Sequence, residues 1–219
     1  MISIKNWFIP TWLCEKLLGG SEFYCLLLWW QVYFFFHGDR ILSSISHYYY
    51  SGMRDVFVGA ICGIALFLFF YRGYDNWKNF NWDRWISNFG GLFAIGIAFF
   101  PTTEKGPGNW VSSIHFICAA SFFLLLSFYS MFIFTRKAPF PTKEKLIRNK
   151  IYMICGLVMI ACLVVIFIYF NFIQSDNSDS SLVFWGETIA LIAFGISWLT
   201  KGGTLYPDKT ILASDANVN

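Results

Sequence analysis

The stretch HYYYSGMRDVFVGAICGIALFLFFYRGY, residues 47–74, decides how this chain is read. Three consecutive tyrosines lead into the pair Arg54-Asp55, and residues 56–71 then run without a charge until Arg72. An uncharged apolar helix framed by charged residues and tyrosines suits a lipid bilayer. The bilayer interior solvates neither a charge nor an unpaired peptide group, whereas an aromatic ring with a polar tip is at home at the membrane surface. At about 1.5 Å per residue, 56–71 rises roughly 24 Å. That is short of about 30 Å of hydrocarbon, so either the flanking residues enter the interface or the helix stands nearly upright. Gly59 and Gly63, four apart, form a small-xxx-small pair that lets another backbone come close.

The rest of the chain repeats this pattern. Apolar residues make up 57% of the 219, charged residues only 13%, and there are 26 phenylalanines; a soluble domain carries about 25% charge. Further spans are expected at 17–36, 85–100, 110–134, 151–173 and 182–199. The first is the least apolar, because Glu22 and Gln31 interrupt it, and Gln31 is expected to face protein. The third carries Gly90, Gly91, Ala94, Gly96 and Ala98, a face suited to helix packing, and Pro101 stops it. Asn109 is a fitting N-cap for the fourth. The spans and their short connections occupy 1–203 as one membrane domain, and a polar tail follows at 204–219.

Lys and Arg set the orientation. The seven polar connections carry 2, 2, 3, 1, 6, 0 and 2 of them in chain order, so the first, third, fifth and seventh hold 13 and the others 3. By the positive-inside rule the richer set is cytoplasmic. The expected fold is therefore all-α: a polytopic transmembrane bundle of six spans with both termini in the cytoplasm. The basic loop with Arg136, Lys137, Lys143, Lys145, Arg148 and Lys150 is read chiefly as a topology determinant, although it also attracts anionic lipid. Asp75 and Asp83, on a cytoplasmic turn, are expected to be solvated or paired with Arg72 and Arg84.

Several classes are set aside. Cys14, Cys25, Cys62, Cys118, Cys155 and Cys162 show no CxxC or His spacing that would suggest zinc and are read as reduced, apolar residues. Residues 7–20 are broken by Pro10, Glu15 and Lys16, so no cleaved signal peptide is expected. There is no nucleic-acid signature, no phosphate-binding glycine loop, no HExxH and no GxSxG, and no recognised motif requires a cofactor. The absence of an Asn-x-Ser/Thr sequon is compatible with a bacterial inner membrane.

Ionisable groups in apolar spans are costly, and each wants a reason. In the expected topology the second, fourth and sixth spans run inward from the outer face. Asp55 opens the second, and His115 and Glu187 each lie five residues past the start of their own span, about 7.5 Å down. If these spans are neighbours, the three side chains share a shallow outer pocket roofed by Tyr48, Tyr49, Tyr50, Arg54 and the loop 102–109. Three chemistries are open to such a group. A divalent metal held by His115, Glu187 and Asp55, with His47 as a further ligand, would activate water. A His between carboxylates carries protons near neutrality. A cationic or a phosphorylated headgroup would be recognised there, with Arg54 meeting a phosphate and His47 and Tyr49 alongside. The plain alternative, of about equal weight to all of these, is that Glu187 and His115 bond each other and hold helices together. Ser112 and Ser113 precede His115, but serines on membrane helices usually bond the carbonyl one turn back.

The patterns SISHYYYSGMRDVFVG, YRGYD, GLFAIGIAFFPT and FWGETIALIAFGISWLTKG, spread over residues 43–203, resemble a family of six-span bacterial membrane proteins without an established activity. The resemblance implies the architecture and a bacterial inner-membrane location. The leading functional expectation is a non-enzymatic membrane component that binds a lipid or a membrane-protein partner through the outer pocket, with glycine faces that pack internally or against a second copy. The alternatives are a metal-assisted lipid hydrolase and a small proton-linked transporter, the latter without the internal repeats that transporters often show.

Overall fold

The computed structural model describes residues 41–71, 82–103, 108–136, 141–173, 180–203 and 205–207. The span expected at 17–36, Asp75 and the end of the tail lie outside the described residues. Within them the chain is helical. A 3-10 turn, Ile45–Tyr50, precedes five long helices: α1 (Arg54–Phe70), α2 (Trp82–Phe99), α3 (Trp110–Phe128), α4 (Lys143–Ile168) and α5 (Leu182–Lys201). π-helical turns, Tyr129–Ile133 and Tyr169–Ile173, prolong α3 and α4.

Local chemistry sets the helix starts. Asn109 and Ser112 form a capping box: Ser112 N donates to Asn109 Oδ1 at 2.9 Å and Asn109 N to Ser112 Oγ at 3.0 Å. Two orphan N–H groups at the helix start are satisfied at once. Thr142 Oγ1 accepts from Lys145 N at 3.1 Å and starts α4 before the apolar run begins. Hence α4 begins at Lys143 rather than at 151. Lys, Glu and Arg are good helix formers, and a helix need not begin where the hydrocarbon does.

Helices adjacent in sequence pack side by side, α1 on α2, α2 on α3, α3 on α4 and α4 on α5. α1 buries Phe57, Ile61, Ala65 and Leu68, a stripe at helical spacing. Opposite it, α2 presents glycines: a Cβ on Gly91 would stand 3.0 Å from the Ala65 carbonyl oxygen, and one on Gly96 would overlap Cys118 Sγ on α3. Without side chains there, three backbones can approach closely. α5 returns to α1 through Trp198, whose ring lies edge-on to Phe67 and Tyr71 with centroids 4.7 and 5.1 Å apart.

Trp110–Ile133, Lys143–Ile173 and Leu182–Lys201 are long and apolar enough to cross a membrane. Their outward faces carry Ile117, Leu124, Phe132, Leu157 and Phe167, each more than half exposed. So much apolar surface on one molecule calls for lipid rather than water around it. α1 and α2, at 17 and 18 residues, are shorter.

The two ends of the bundle differ. At the end where α2 and α4 begin, Arg136 Nη1 meets Asp83 Oδ1 at 2.7 Å, with Asp83 only 2% exposed. The Tyr129 hydroxyl donates to the Asp83 carbonyl oxygen, and Ser130 Oγ bonds both the Tyr152 carbonyl and Ser197 Oγ at 2.7 Å. Asp83, expected to be solvated or paired with Arg72 or Arg84, is instead buried and paired with Arg136, a tie between α2 and the end of α3. At the other end, where α1, α3 and α5 begin, the 3-10 turn lies across the bundle.

Candidate functional site

The turn Ile45–Tyr50 acts as a strap. Its short helix leaves N–H groups at its start without partners inside the turn. Ser44 Oγ accepts from His47 N at 3.3 Å, but Ile45 N–H is satisfied from outside, by Glu187 Oε2 of α5 at 2.7 Å. The next residue is held from α3: Ser46 Oγ lies 2.9 Å from His115 Nε2. The other ring nitrogen, Nδ1, lies 2.7 Å from the Phe100 carbonyl oxygen. A carbonyl only accepts, so Nδ1 carries a proton, and in the neutral ring Nε2 is then the acceptor for the Ser46 hydroxyl. Phe184 N of α5 also donates to the Ser43 carbonyl at 3.0 Å, and the Tyr50 hydroxyl donates to the Thr102 carbonyl. Ser44, Ile45, Ser46 and Tyr48 are buried as a result.

His115 and Glu187 therefore come together, but through an intermediary. They do not bond each other; they grip consecutive residues of one strap. His47, on the same strap, turns its Nδ1 to the hydroxyls of Ser44 and Ser43, at 2.6 and 3.3 Å. Tyr49 and Arg54 pair with each other: the guanidinium donates to the Tyr49 hydroxyl at 2.9 Å and stands 4.5 Å over the ring, a cation–π contact. Asp55 is exposed in the first turn of α1, where a negative charge suits the helix dipole. Tyr48, expected in the roof, is 3% exposed and packs on Phe184. Ser112 and Ser113 both donate back to the Asn109 carbonyl, at 2.9 and 3.1 Å, as serines on apolar helices tend to do.

Among the described residues, no three His, Cys, Asp or Glu side chains gather around a point that would hold a metal ion. The ligand set His47, His115, Glu187 and Asp55 is thus not assembled as one. The arrangement offers a carboxylate with one oxygen committed to Ile45 and the other, Oε1, without a hydrogen bond among the described residues. Ser46 and the Phe100 carbonyl went unnoticed in the sequence. The only signal was the pair of serines, Ser44 and Ser46, directly before His47.

Comparison with known proteins adds the family. The sequence profile of the Wntless-like transmembrane domain matches residues 2–194. The chain belongs to this family. Nothing among the curated proteins or the solved structures matches it. The Wntless-like match takes in the strap, α1 to α4, and α5 as far as Phe194, so both Glu187 and His115 fall within it. Membership in a family defined by a transmembrane domain, together with three long apolar helices, makes this an integral membrane protein.

Proposed function

We propose that this integral membrane protein crosses a bacterial inner membrane six times with both termini in the cytoplasm, and that the strap end is its outer, ligand-binding face. The charge bias supports the orientation: the basic loop before α4 lies opposite the strap, next to the Asp83–Arg136 pair. The ligand is a lipid whose headgroup carries an ammonium group. One observation carries this reading. The Glu187 carboxylate lies about one helical turn inside α5, bonds the strap through Oε2 alone, and has no basic side chain paired with it among the described residues. A carboxylate set into a membrane helix calls for a cationic partner, and a headgroup ammonium arriving at the membrane surface supplies one.

The two enzymatic and transport readings gain no comparable support. A metal-assisted hydrolase needs ligands that converge, and a proton path needs a chain of titratable groups beyond His115 and Glu187.

Native mass spectrometry of the protein in mild detergent tests the proposal. The wild-type chain is expected to retain about one ammonium-headed phospholipid, and Glu187→Gln to lose it. The substitution leaves an amide oxygen for Ile45 N–H, so the strap stays in place while the charge goes. Equal lipid retention by both chains would falsify the reading, as would a wild-type chain that retains none.

A further inference from the structure

We infer that the exposed side of the first turns of α4, formed by Lys143, Ile147 and Lys150, seats an anionic phospholipid of the adjoining leaflet, with its phosphate between the two lysines and its acyl chains along Ile154 and Leu157. The inference concerns the end of the bundle opposite the strap and stands independently of the headgroup reading there.

α3 sets where the hydrocarbon ends on this side. Its apolar run stops at Phe134, and α4 binds the carbonyls that follow: Lys145 Nζ donates to the Phe134 carbonyl oxygen at 2.7 Å and Asn149 Nδ2 to that of Thr135 at 2.9 Å. Asn149 is therefore level with the end of α3, and the turns of α4 before it stand beyond the apolar layer. Length agrees with this. Together with its π-helical turn, α4 runs over 31 residues, Lys143–Ile173, a rise of about 46 Å against about 30 Å of hydrocarbon.

These first turns divide their basic residues by face. Lys145 and Arg148 turn to the protein: Lys145 Nζ also stands 5.4 Å over the Tyr152 ring, and Arg148 Nη1 donates to the Tyr206 carbonyl oxygen at 2.9 Å. Lys143 and Lys150 are exposed and form no ion pair among the described residues. Seven residues apart, they share one helix face, with Ile147 between them and Ile154 and Leu157 continuing the line. Glu144 is half-buried and lies off it. Ile147 and its neighbour Leu146 are 39 and 42% exposed. Two lysines alone would suit water and serve only to set topology, but apolar side chains exposed between them, outside the hydrocarbon, would not. Cations that flank apolar side chains and lead into a lipid-facing stripe match the charge and the glycerol–acyl boundary of an anionic phospholipid. The two lysines are separated by a rise of about 10.5 Å, a gap that their flexible stems close around one phosphate.

Native mass spectrometry of the full chain in mild detergent, titrated with phosphatidylglycerol or with phosphatidylcholine of the same acyl chains, tests this. Each lysine near a charged lipid surface contributes roughly fivefold. Wild type is therefore expected to bind phosphatidylglycerol about tenfold more tightly or better, and Lys143→Gln/Lys150→Gln to lose most of that preference. Ile147→Gln, with both charges intact, is expected to weaken binding severalfold. Arg84→Gln, at an exposed basic residue of α2 at the same end, and Glu187→Gln, at the strap, are expected to leave it unchanged. A wild-type chain without the preference overturns the inference. So does an Arg84→Gln variant as weak as either lysine single, which would mean diffuse attraction to a basic surface. Ile147→Gln binding as wild type, or displacement of the lipid by sn-glycerol 3-phosphate, would mean that the lysines hold a phosphate without seating a lipid, and loss of phosphatidylglycerol in Glu187→Gln would move it to the strap; each result overturns the inference as well.

Discussion

Replacing His115 with alanine is the sharpest structural test of the strap. The imidazole joins three elements, through Phe100 at the end of α2, its own place on α3, and Ser46 on the strap. His115 is 1% exposed and Ser46 8%, so water does not easily replace the lost ring. Removing it takes away the partner of two polar groups, the Ser46 hydroxyl and the Phe100 carbonyl. Each such loss costs about 1–3 kcal/mol, with a further term for the cavity. A total of about 3 kcal/mol corresponds to a fall in Tm of roughly 6–12 °C for a chain of this size. The assay is thermal unfolding of the purified protein in a mild detergent, followed by exposure of buried thiols such as Cys155. Asp55→Asn is the control, because an exposed carboxylate in the first turn of α1 changes stability by less than about 0.5 kcal/mol. If His115→Ala melts within 2 °C of that control, by the same conversion, the strap is not held by the imidazole and the described hydrogen-bond chain is wrong.

Other substitutions separate the remaining contacts. Glu187→Ala should destabilise by about 1–3 kcal/mol, because Ile45 N–H loses its partner, whereas Glu187→Gln should melt close to wild type; equal loss in both would show that charge, not the hydrogen bond, holds the strap. Arg136→Ala should cost about 2 kcal/mol by taking the guanidinium away from the buried Asp83 carboxylate. That estimate sits below the range for fully buried pairs because Arg136 is 33% exposed. Adding Asp83→Ala should recover part of the loss, and a double variant worse than the sum of the singles would argue against the pair. Gly91→Val should cost about 2 kcal/mol, since its Cβ would press on the Ala65 carbonyl of α1; a neutral result would mean that α1 and α2 are not in contact there. An epitope tag at either terminus should be reached by antibody only after the cells are permeabilised, and labelling of intact cells would invert the proposed orientation.

The helices were legible in the sequence where hydrophobicity and capping agree. Trp110 is a helix start by apolar run and by its Asn109 cap, Leu182 by apolar run alone, and the structure places α3 and α5 there. The start of α4 was not, because the bilayer constrains where apolar residues run and not where a capped basic helix begins. His115 and Glu187 stand out as costly residues by type alone, and the structure does bring them to one strap. Their true partners were hidden for a physical reason. The Ser46 hydroxyl and the Ile45 N–H lie 69 and 142 residues away in the chain, and a backbone N–H has no sequence signature. The same holds for Asp83: its burial follows from a partner 53 residues on, which no local charge pattern reveals. The glycines show the limit from the other side. Spacing identifies both Gly59/Gly63 and the run in α2 as packing faces, but only coordinates tell which of them is already covered.

A photoactivatable analogue of an ammonium-headed phospholipid, with its reactive group next to the headgroup, tests the central claim most directly when cross-linked to the protein in vesicles and mapped by peptide mass spectrometry. The account predicts labelling concentrated on the peptides around Ser43 to Tyr50 and around Glu187, and its loss in Glu187→Gln. Label spread over the lipid-facing surfaces of α3 and α4, unchanged by that substitution, would contradict it.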